Sequence, residues 1–287
     1  MDESALRADM IEGLEHQIGE PLGASVLNAL QRVPRESFVE ATPYANRASE
    51  ESGTRALAPA TAARMLTALD ADEGDDVLVV GAGIGYTVAM LAEIAGARRV
   101  HAIDIDRHAV HVARSNLADA GYDAVLVDRR DGANGLPEYA PYDRILLEAA
   151  VVEPPRALRD QLADDGRLVY PRGTTVQTIV GIEPESTGAA PAAPEAESVG
   201  NPADPGSTDS AAEPRPDRPT DDGPGAPPGF RTVHTAGPAR LRPMLADGEQ
   251  SGIERNRTRR EDAEFAKQGY FAKHGWERDW IDWDEQL

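Results

Sequence analysis

Between residues 76 and 170, short apolar runs alternate with longer stretches whose apolar residues recur at helical spacing, and few folds accommodate that alternation. The runs at 77–80, 99–103, 124–127, 144–147 and 167–170 have the length of strands. Those at 87–95, 107–120 and 155–162 have the length of helices. Strands joined by helical crossovers lie parallel, and a parallel sheet must be covered on both faces. The expectation is an α/β, Rossmann-like, mostly parallel sheet with helices on both faces. "TVQTIVGIE" reads as one further strand, and "FRTVHTAGPARLRPML" as a strand pair completing the sheet.

Upstream, Leu6, Met10, Leu14 and Ile18 share one helical face, and Val26, Leu27, Leu30 and Val33 share another after Pro21. This N-terminal helical extension ends at Pro34, residues 41–58 read as a loop, and Pro59 suits the first turn of a new helix. Residues 184–229 hold half of the chain's 22 prolines, no aromatic residue and Val199 as the only large aliphatic. Such a segment buries too little apolar area to offset the entropy of ordering, so a disordered insertion is expected there. The implied division is 1–58 (N-terminal helices and a loop), 59–183 (ligand-binding core), 184–229 (insertion) and 230–287 (final strands and an acidic C-terminal segment).

The first strand of the alternation ends in Gly81-Ala82-Gly83-Ile84-Gly85-Tyr86. A dinucleotide fingerprint needs its third glycine at 86, where Tyr86 stands, and no Lys-Ser/Thr follows to make a P-loop. A G-x-G-x-G turn still lets a ligand approach the backbone, and it suits one with no pyrophosphate to seat. Asp104, at the tip of the second strand, can accept from both hydroxyls of an unsubstituted ribose. Asp131-Gly132, past the third strand, places an acid where an adenine amino group can donate. Glycine turn and both acids belong to C-terminal strand ends, the ligand side of an open α/β sheet. A nucleoside with a short polar extension fits all three, which is S-adenosylmethionine; a nicotinamide dinucleotide is the alternative ligand.

Composition narrows the partners. The formal net charge is -21, and among 29 basic residues only Lys267 and Lys273 are lysine. So acidic and lysine-poor a surface suits a halophilic setting, where salt screens the repulsion. It also disfavours non-specific nucleic-acid binding, which rests on neutralising phosphates. The chain has no Cys, hence no disulfide and no thiolate metal site. Its apolar runs fall short of a membrane span, and "MDESALRADM" carries no export pattern, so the expectation is cytoplasmic.

Read in order, "LNALQRVPRESFV", "VLVVGAGIGYTVAMLAE", "IDID", "DGANGLPEYAPYDRILLEAA" and "LRDQLADDGRLVYPRG" resemble the protein-L-isoaspartate O-methyltransferase family, from about residue 10 to 182 with an interruption at 41–58. The resemblance implies a seven-stranded class I methyltransferase fold, S-adenosylmethionine as cofactor, and isoaspartyl-containing proteins or peptides as substrates, methylated as the first step of repair. It implies Gly81, Ala82, Gly83, Gly85, Tyr86, Asp104, Ile105, Asp131 and Gly132 as cofactor residues, with Ile105 against the adenine. It also implies that Glu148 lies near the methyl donor. Alignment on Pro59 puts Leu57 where the family carries a substrate-contacting serine, and Arg55 where it carries a threonine. A leucine cannot donate a hydrogen bond, which leaves Arg55 either as a solvated loop residue or as the candidate for a two-pronged contact with the acceptor carboxylate. The alternatives are a methyltransferase of this fold with another acceptor (a small molecule or RNA) and a non-catalytic cofactor-binding protein.

Other features read more plainly. His108 and His111, one helical turn apart, lack the carboxylates of a metal site and read as surface histidines. "EPPR" at 153–156 reads as a helix start at Pro155. Trp276, Trp280 and Trp283 form a helical stripe suited to packing on the chain's own domain, and "RNRTRR" at 255–260 reads as a solvated face.

Overall fold

A computed structural model describes residues 3–19, 21–185 and 225–245. The elements run α1 (Glu3–Ile18), α2 (Ala24–Arg32), β1 (Ser49–Glu51), β2 (Thr54–Ala56), α3 (Pro59–Leu69), β3 (Val77–Val80) and α4 (Tyr86–Ala95). There follow β4 (Val100–Asp104), α5 (Arg107–Asp119), β5 (Leu126–Arg129), β6 (Tyr142–Leu147), α6 (Arg156–Asp160), β7 (Leu162–Gly173), β8 (Gln177–Pro184) and β9 (Phe230–Ala239). The expected insertion lies, apart from its two ends, outside the described residues, as do the tryptophan stripe and "RNRTRR".

Seven strands form one sheet in the order β5-β4-β3-β6-β7-β8-β9. β5 through β7 are parallel, and β7–β8 and β8–β9 are antiparallel. Alternate residues of β3 go to opposite faces. Val77 and Val79 join the cluster built with α1 to α5, while Leu78 and Val80 join the one beneath. That second face is covered by α6 and by short 3-10 turns at Gly132–Asn134 and Pro137–Tyr139, so the helical cover is uneven. Right-handed crossovers explain the asymmetry. The chain moves β3→β4→β5 toward one edge with its helices on one side, then returns to β6 on the other. The strand order therefore reverses between β3 and β6, the switch point where open α/β sheets bind ligands.

Several expectations needed correction. Residues 41–58 contain a hairpin, β1–β2, closed by Ser52 (φ 48°) and Gly53 (φ 76°). Two positive φ values make a turn whose twist matches the strands it joins. The strand expected at 124–127 is Leu126–Arg129, an edge strand that tolerates Asp128 and Arg129 because one side faces solvent. The helix expected at 155–162 is Arg156–Asp160, since Leu162 pairs with Tyr142 and already belongs to β7. The expected C-terminal strand pair is one strand, β9, followed by an extended run that meets the sheet where Leu241 exchanges hydrogen bonds with the Gln177 side chain and through a bridge of Pro243 to Ala150. Pro243 removes a donor that a second strand would need. The ends of the expected insertion are ordered: Pro184 ends β8, and Glu185 N–H donates to Gly229 O at 2.9 Å.

Candidate functional site

The site is assembled where β3, β4, β5 and β6 end together. Val80 is level with Ile103 on one side and Leu147 on the other, and Asp104 is level with Arg129. The residues that follow, Gly81, Asp104, Asp131 and Glu148, thus emerge at one edge of the sheet. The sequence-predicted acids and glycines are brought together there.

The turn is built by the backbone. Gly81 and Ala82 both donate to Ile103 O, at 2.8 and 3.1 Å, and Gly83 N–H donates to Asp104 Oδ2 at 3.1 Å. Gly85 has φ 87°, and a Cβ there would stand 3.2 Å from Leu117 Cγ and 3.3 Å from Ala113 O, so α5 packs directly on the turn. A Cβ on Gly81 would meet Glu148 Cβ at 3.3 Å, so the β3 and β6 tips touch. Asn116 Nδ2 donates to Ile84 O at 3.0 Å, a second tie to α5. The first amides of α4 lack intrahelical partners and point out of the turn.

Tyr86 opens α4, but its ring is buried away from the turn, edge-on to Phe38 and 4.4 Å beneath the Arg35 guanidinium. Its contribution at the turn is therefore main chain. Ile105 and Asp131 line one cleft of about 380 Å³, together with Arg129, Arg130 and Glu138. Asp131 also caps the next turn, accepting from Ala133 N–H at 2.9 Å. Gly132 leaves no room for a side chain: a Cβ would lie 2.4 Å from Val80 Cγ1 and 3.0 Å from Met244 Cε.

Two carboxyls sit at the turn. Asp104 is pushed upward by burial and pulled back by the amides of Asp106 and Gly83. Glu148 is pushed up to about 8, first by burial and further by the charge of Asp104, with the Thr87 hydroxyl opposing. Its Oε1 is buried with no hydrogen-bond partner among the described residues.

The β1–β2 hairpin lies over this turn. Arg55 O is 3.6 Å from where a Cβ on Gly83 would be, and the hairpin tip is held by a hydrogen bond between His108 Nε2 and Ser52 O. His108 is thus on the surface, as its spacing suggests, but it has a task there. Arg55 is half-buried, and its Nε is buried without a partner among the described residues. Leu57, half-buried, packs against the core and offers its carbonyl to Arg35 Nη2 at 2.7 Å.

Three contributors escape sequence reasoning. Arg35, 1% exposed, bonds Pro43 O and Leu57 O and so ties the 41–58 segment to α4 through Tyr86. A charged residue inside "VPRESFV", a run with apolar ends, was the available cue. The run after β9 crosses the β6 tip, with Ala150 N–H donating to Arg242 O and Met244 N–H to Ala150 O. It is anchored by Arg242 to Glu50 of β1 at 3.0 Å, a pairing across 192 residues that local pattern cannot reveal. Thr87 follows the turn and faces Glu148. Among the described residues no group of His, Cys, Asp and Glu is arranged to hold a metal, and no helix is long and apolar enough to cross a membrane.

Comparison with known proteins completes the description. Residues 7–197 match the family described as Protein-L-isoaspartate(D-aspartate) O-methyltransferase (PCMT). The chain is 39% identical over 169 residues to the protein-L-isoaspartate O-methyltransferase of Methanococcoides burtonii, covering 57% of this chain and 83% of that protein. It is 42% identical over 176 residues to that of Aeropyrum pernix, covering 58% and 67%. Among solved structures, a protein-L-isoaspartate O-methyltransferase superposes with a TM-score of 0.54 at 25% identity, over 61% of this chain and 59% of that one. A beta-aspartate methyltransferase (PCMT) from Plasmodium falciparum, solved with S-adenosyl-L-homocysteine, gives 0.54 at 21% identity over 61% and 88%, and shares the fold. The chain belongs to the protein-L-isoaspartate(D-aspartate) O-methyltransferase family, whose members transfer a methyl group from S-adenosylmethionine to isoaspartyl carboxylates.

Proposed function

We propose that this chain holds S-adenosylmethionine across the tips of β3 to β6 and that Arg55 orients the isoaspartyl carboxylate it methylates. The observation that carries the reading is the Glu148–Gly81 contact at the switch point, where a Cβ on Gly81 would meet Glu148 Cβ at 3.3 Å and Glu148 Oε1 is buried without a partner among the described residues. That cradle suits a nucleoside with a cationic tail: the carboxyls of Asp104 and Glu148 stand at the glycine turn, while Arg129 and Arg130 line the neighbouring cleft with Ile105 and Asp131. Asp104 would take the ribose hydroxyls, Ile105 and Asp131 the adenine, and the backbone of Gly81, Ala82, Gly83, Gly85, Tyr86 and Gly132 the close contacts. Glu148 would lie against the methionyl end.

When bound, the cofactor supplies a methyl group activated by a positively charged sulfur. The protein's own tasks are then modest. The acceptor carboxylate is anionic at neutral pH and needs no general base. The site must hold it in line, and alignment of two reactants supplies much of such an acceleration. The proximity of the Arg55 carbonyl to Gly83, 3.6 Å from where a Cβ would stand, supports that role for Arg55. A planar guanidinium grips a carboxylate at two points, replacing the hydroxyl that Leu57 lacks.

We further propose a salt-rich cytoplasm as the setting, supported by the net charge of -21 and by arginine in place of nearly all lysine. The test is direct. Purified protein in molar KCl is incubated with methyl-labelled cofactor and an isoaspartyl peptide beside its aspartyl twin. Base-labile label on the isoaspartyl peptide alone is expected. Label on neither peptide but on RNA or small molecules of a cell extract would assign another acceptor. Cofactor binding without transfer to anything would make the chain a non-catalytic binder.

A further inference from the structure

Glu148 is the carboxyl of the site that the reaction itself does not need. It stands at the β6 tip against Gly81, with Oε1 buried and unpartnered among the described residues. The groups that bear on it are the Thr87 hydroxyl, from the first turn of α4, and the Asp104 carboxyl, from the β4 tip. Arg55, on the hairpin over the turn, is half-buried and is not among the groups that bear on Glu148, and the other neighbouring cations are engaged elsewhere. Arg242, on the run that crosses the β6 tip, pairs with Glu50 at 3.0 Å. Arg35, beyond Tyr86, bonds the carbonyls of Pro43 and Leu57. Two partly buried carboxyls therefore stand at this turn with a hydroxyl, and no cation bears on Glu148, an arrangement that is costly unless one carboxyl is protonated or a cation arrives.

We propose that Glu148 is the countercharge for the cationic methionyl end of the cofactor and gives up its proton to solvent as that cation binds. This rests on the cofactor reading above. The exchange balances: one positive charge enters the turn, one proton leaves the carboxyl, and no bond of the cofactor changes. With its carboxyl held up to about 8 by burial and by Asp104, Glu148 carries the proton at pH 7. A bound cation favours the carboxylate and pulls that value down. The sign follows: below pH 8 the cofactor competes with a proton, so affinity falls as pH falls.

Calorimetric titration of the whole chain with S-adenosylmethionine, in buffers of different ionisation enthalpy at pH 7, counts the protons. The wild type is expected to release about one proton more per cofactor than Glu148→Gln, a difference in which the ligand's own amino group cancels. Relative to that variant, wild-type affinity should fall roughly twentyfold between pH 8.5 and 6.5. Equal proton counts, or a variant binding as tightly as wild type at pH 8.5, would overturn the proposal. Wild type alone gives a second readout should the variant fail to fold. The infrared band of a protonated carboxyl should be present without cofactor at pH 7 and vanish on its addition; a band that persists refutes the inference. A wild type that takes up no cofactor at all would instead remove the cofactor reading, and this inference with it.

Discussion

Gly83 N–H donates to Asp104 Oδ2 at 3.1 Å, so the turn after β3 is fastened to the tip of β4. Oδ1 of the same carboxyl accepts from Asp106 N–H at 2.9 Å. Each carboxylate oxygen has more than one acceptor position, so neither bond exhausts it. Asp104 thus shapes the turn and still has lone pairs for a ribose. Asp104→Asn would trade a charged acceptor for a mixed amide and set an NH2 or a weaker oxygen toward Gly83. The expected result is a loss of about 10- to 100-fold in cofactor affinity, the equivalent of one or two charge-assisted bonds. The thermal midpoint should move by only a few degrees. Calorimetric titration beside a melting curve separates the two effects, and an unchanged Kd would remove Asp104 from the binding set.

Arg55 should behave in the opposite way. Its carbonyl lies 3.6 Å from where a Cβ on Gly83 would stand and its side chain is half-buried, and the role proposed for it concerns the acceptor and not the cofactor. Arg55→Ala is expected to raise the KM for an isoaspartyl peptide about tenfold or more, with cofactor Kd unchanged. Arg55→Lys should recover part of the loss, since an ammonium keeps the charge but not the fork. Steady-state kinetics with each substrate varied in turn makes the distinction. Equal KM and kcat in Arg55→Ala and wild type would make Arg55 an ordinary hairpin residue.

Arg35 shows how the acceptor segment is kept in register with the turn. It reaches Pro43 O at 2.8 Å and Leu57 O at 2.7 Å, the two flanks of the hairpin, and it covers the ring of Tyr86. Burial lowers its pKa, yet a guanidinium stays charged, so its hydrogen bonds remain charge-assisted. Replacing it by Met leaves two carbonyls without that donor and removes the cation from the ring. A loss of roughly 2–4 kcal/mol in chemical denaturation is expected. Proteolysis within 41–58 should accelerate more than elsewhere, because that segment loses its tether. Uniform susceptibility across the chain would mean that Arg35 stabilises the core without holding the hairpin.

What could be read from the chain alone followed the reach of each signal. β3 was legible to the residue because four buried apolar residues end at a glycine turn, and α3 because Pro59 marks its first turn. β5 was displaced by two residues because an edge strand admits charge and blurs the apolar pattern. The hairpin was missed although Ser52-Gly53 carried its turn chemistry, since strands of three residues give no periodicity. Asp104 follows from its strand-tip position, which is local, and Glu148 only from the family resemblance. The closure of the site by Arg242–Met244 depends on β9 returning across the sheet, and no spacing in the sequence encodes that. Tyr86 illustrates the remaining gap: its place in the turn was evident, but the direction of its ring was decided by Phe38 and Arg35, 48 and 51 residues earlier.

That return of β9 depends on a charged clamp. Glu183 Oε1 accepts from Arg167 Nη2 at 2.8 Å and its Oε2 from Arg231 Nη2 at 3.0 Å, joining β7, β8 and β9 through one carboxylate. Partial burial pushes the Glu183 carboxyl upward, but the hydrogen bonds and charges of the two arginines outweigh it and hold it below its ordinary value. A depressed carboxyl stabilises the fold above its unfolded pKa, and that contribution is lost as pH falls through the folded value. Glu183→Gln should therefore cost about 1 kcal/mol near pH 7, as a partly exposed network does. Wild type and variant should converge in stability as the pH drops below the carboxylate range. Urea denaturation from pH 7 down to pH 3 reads both terms, and a gap that stays constant across that span would show the arginines do not act through the charge of Glu183.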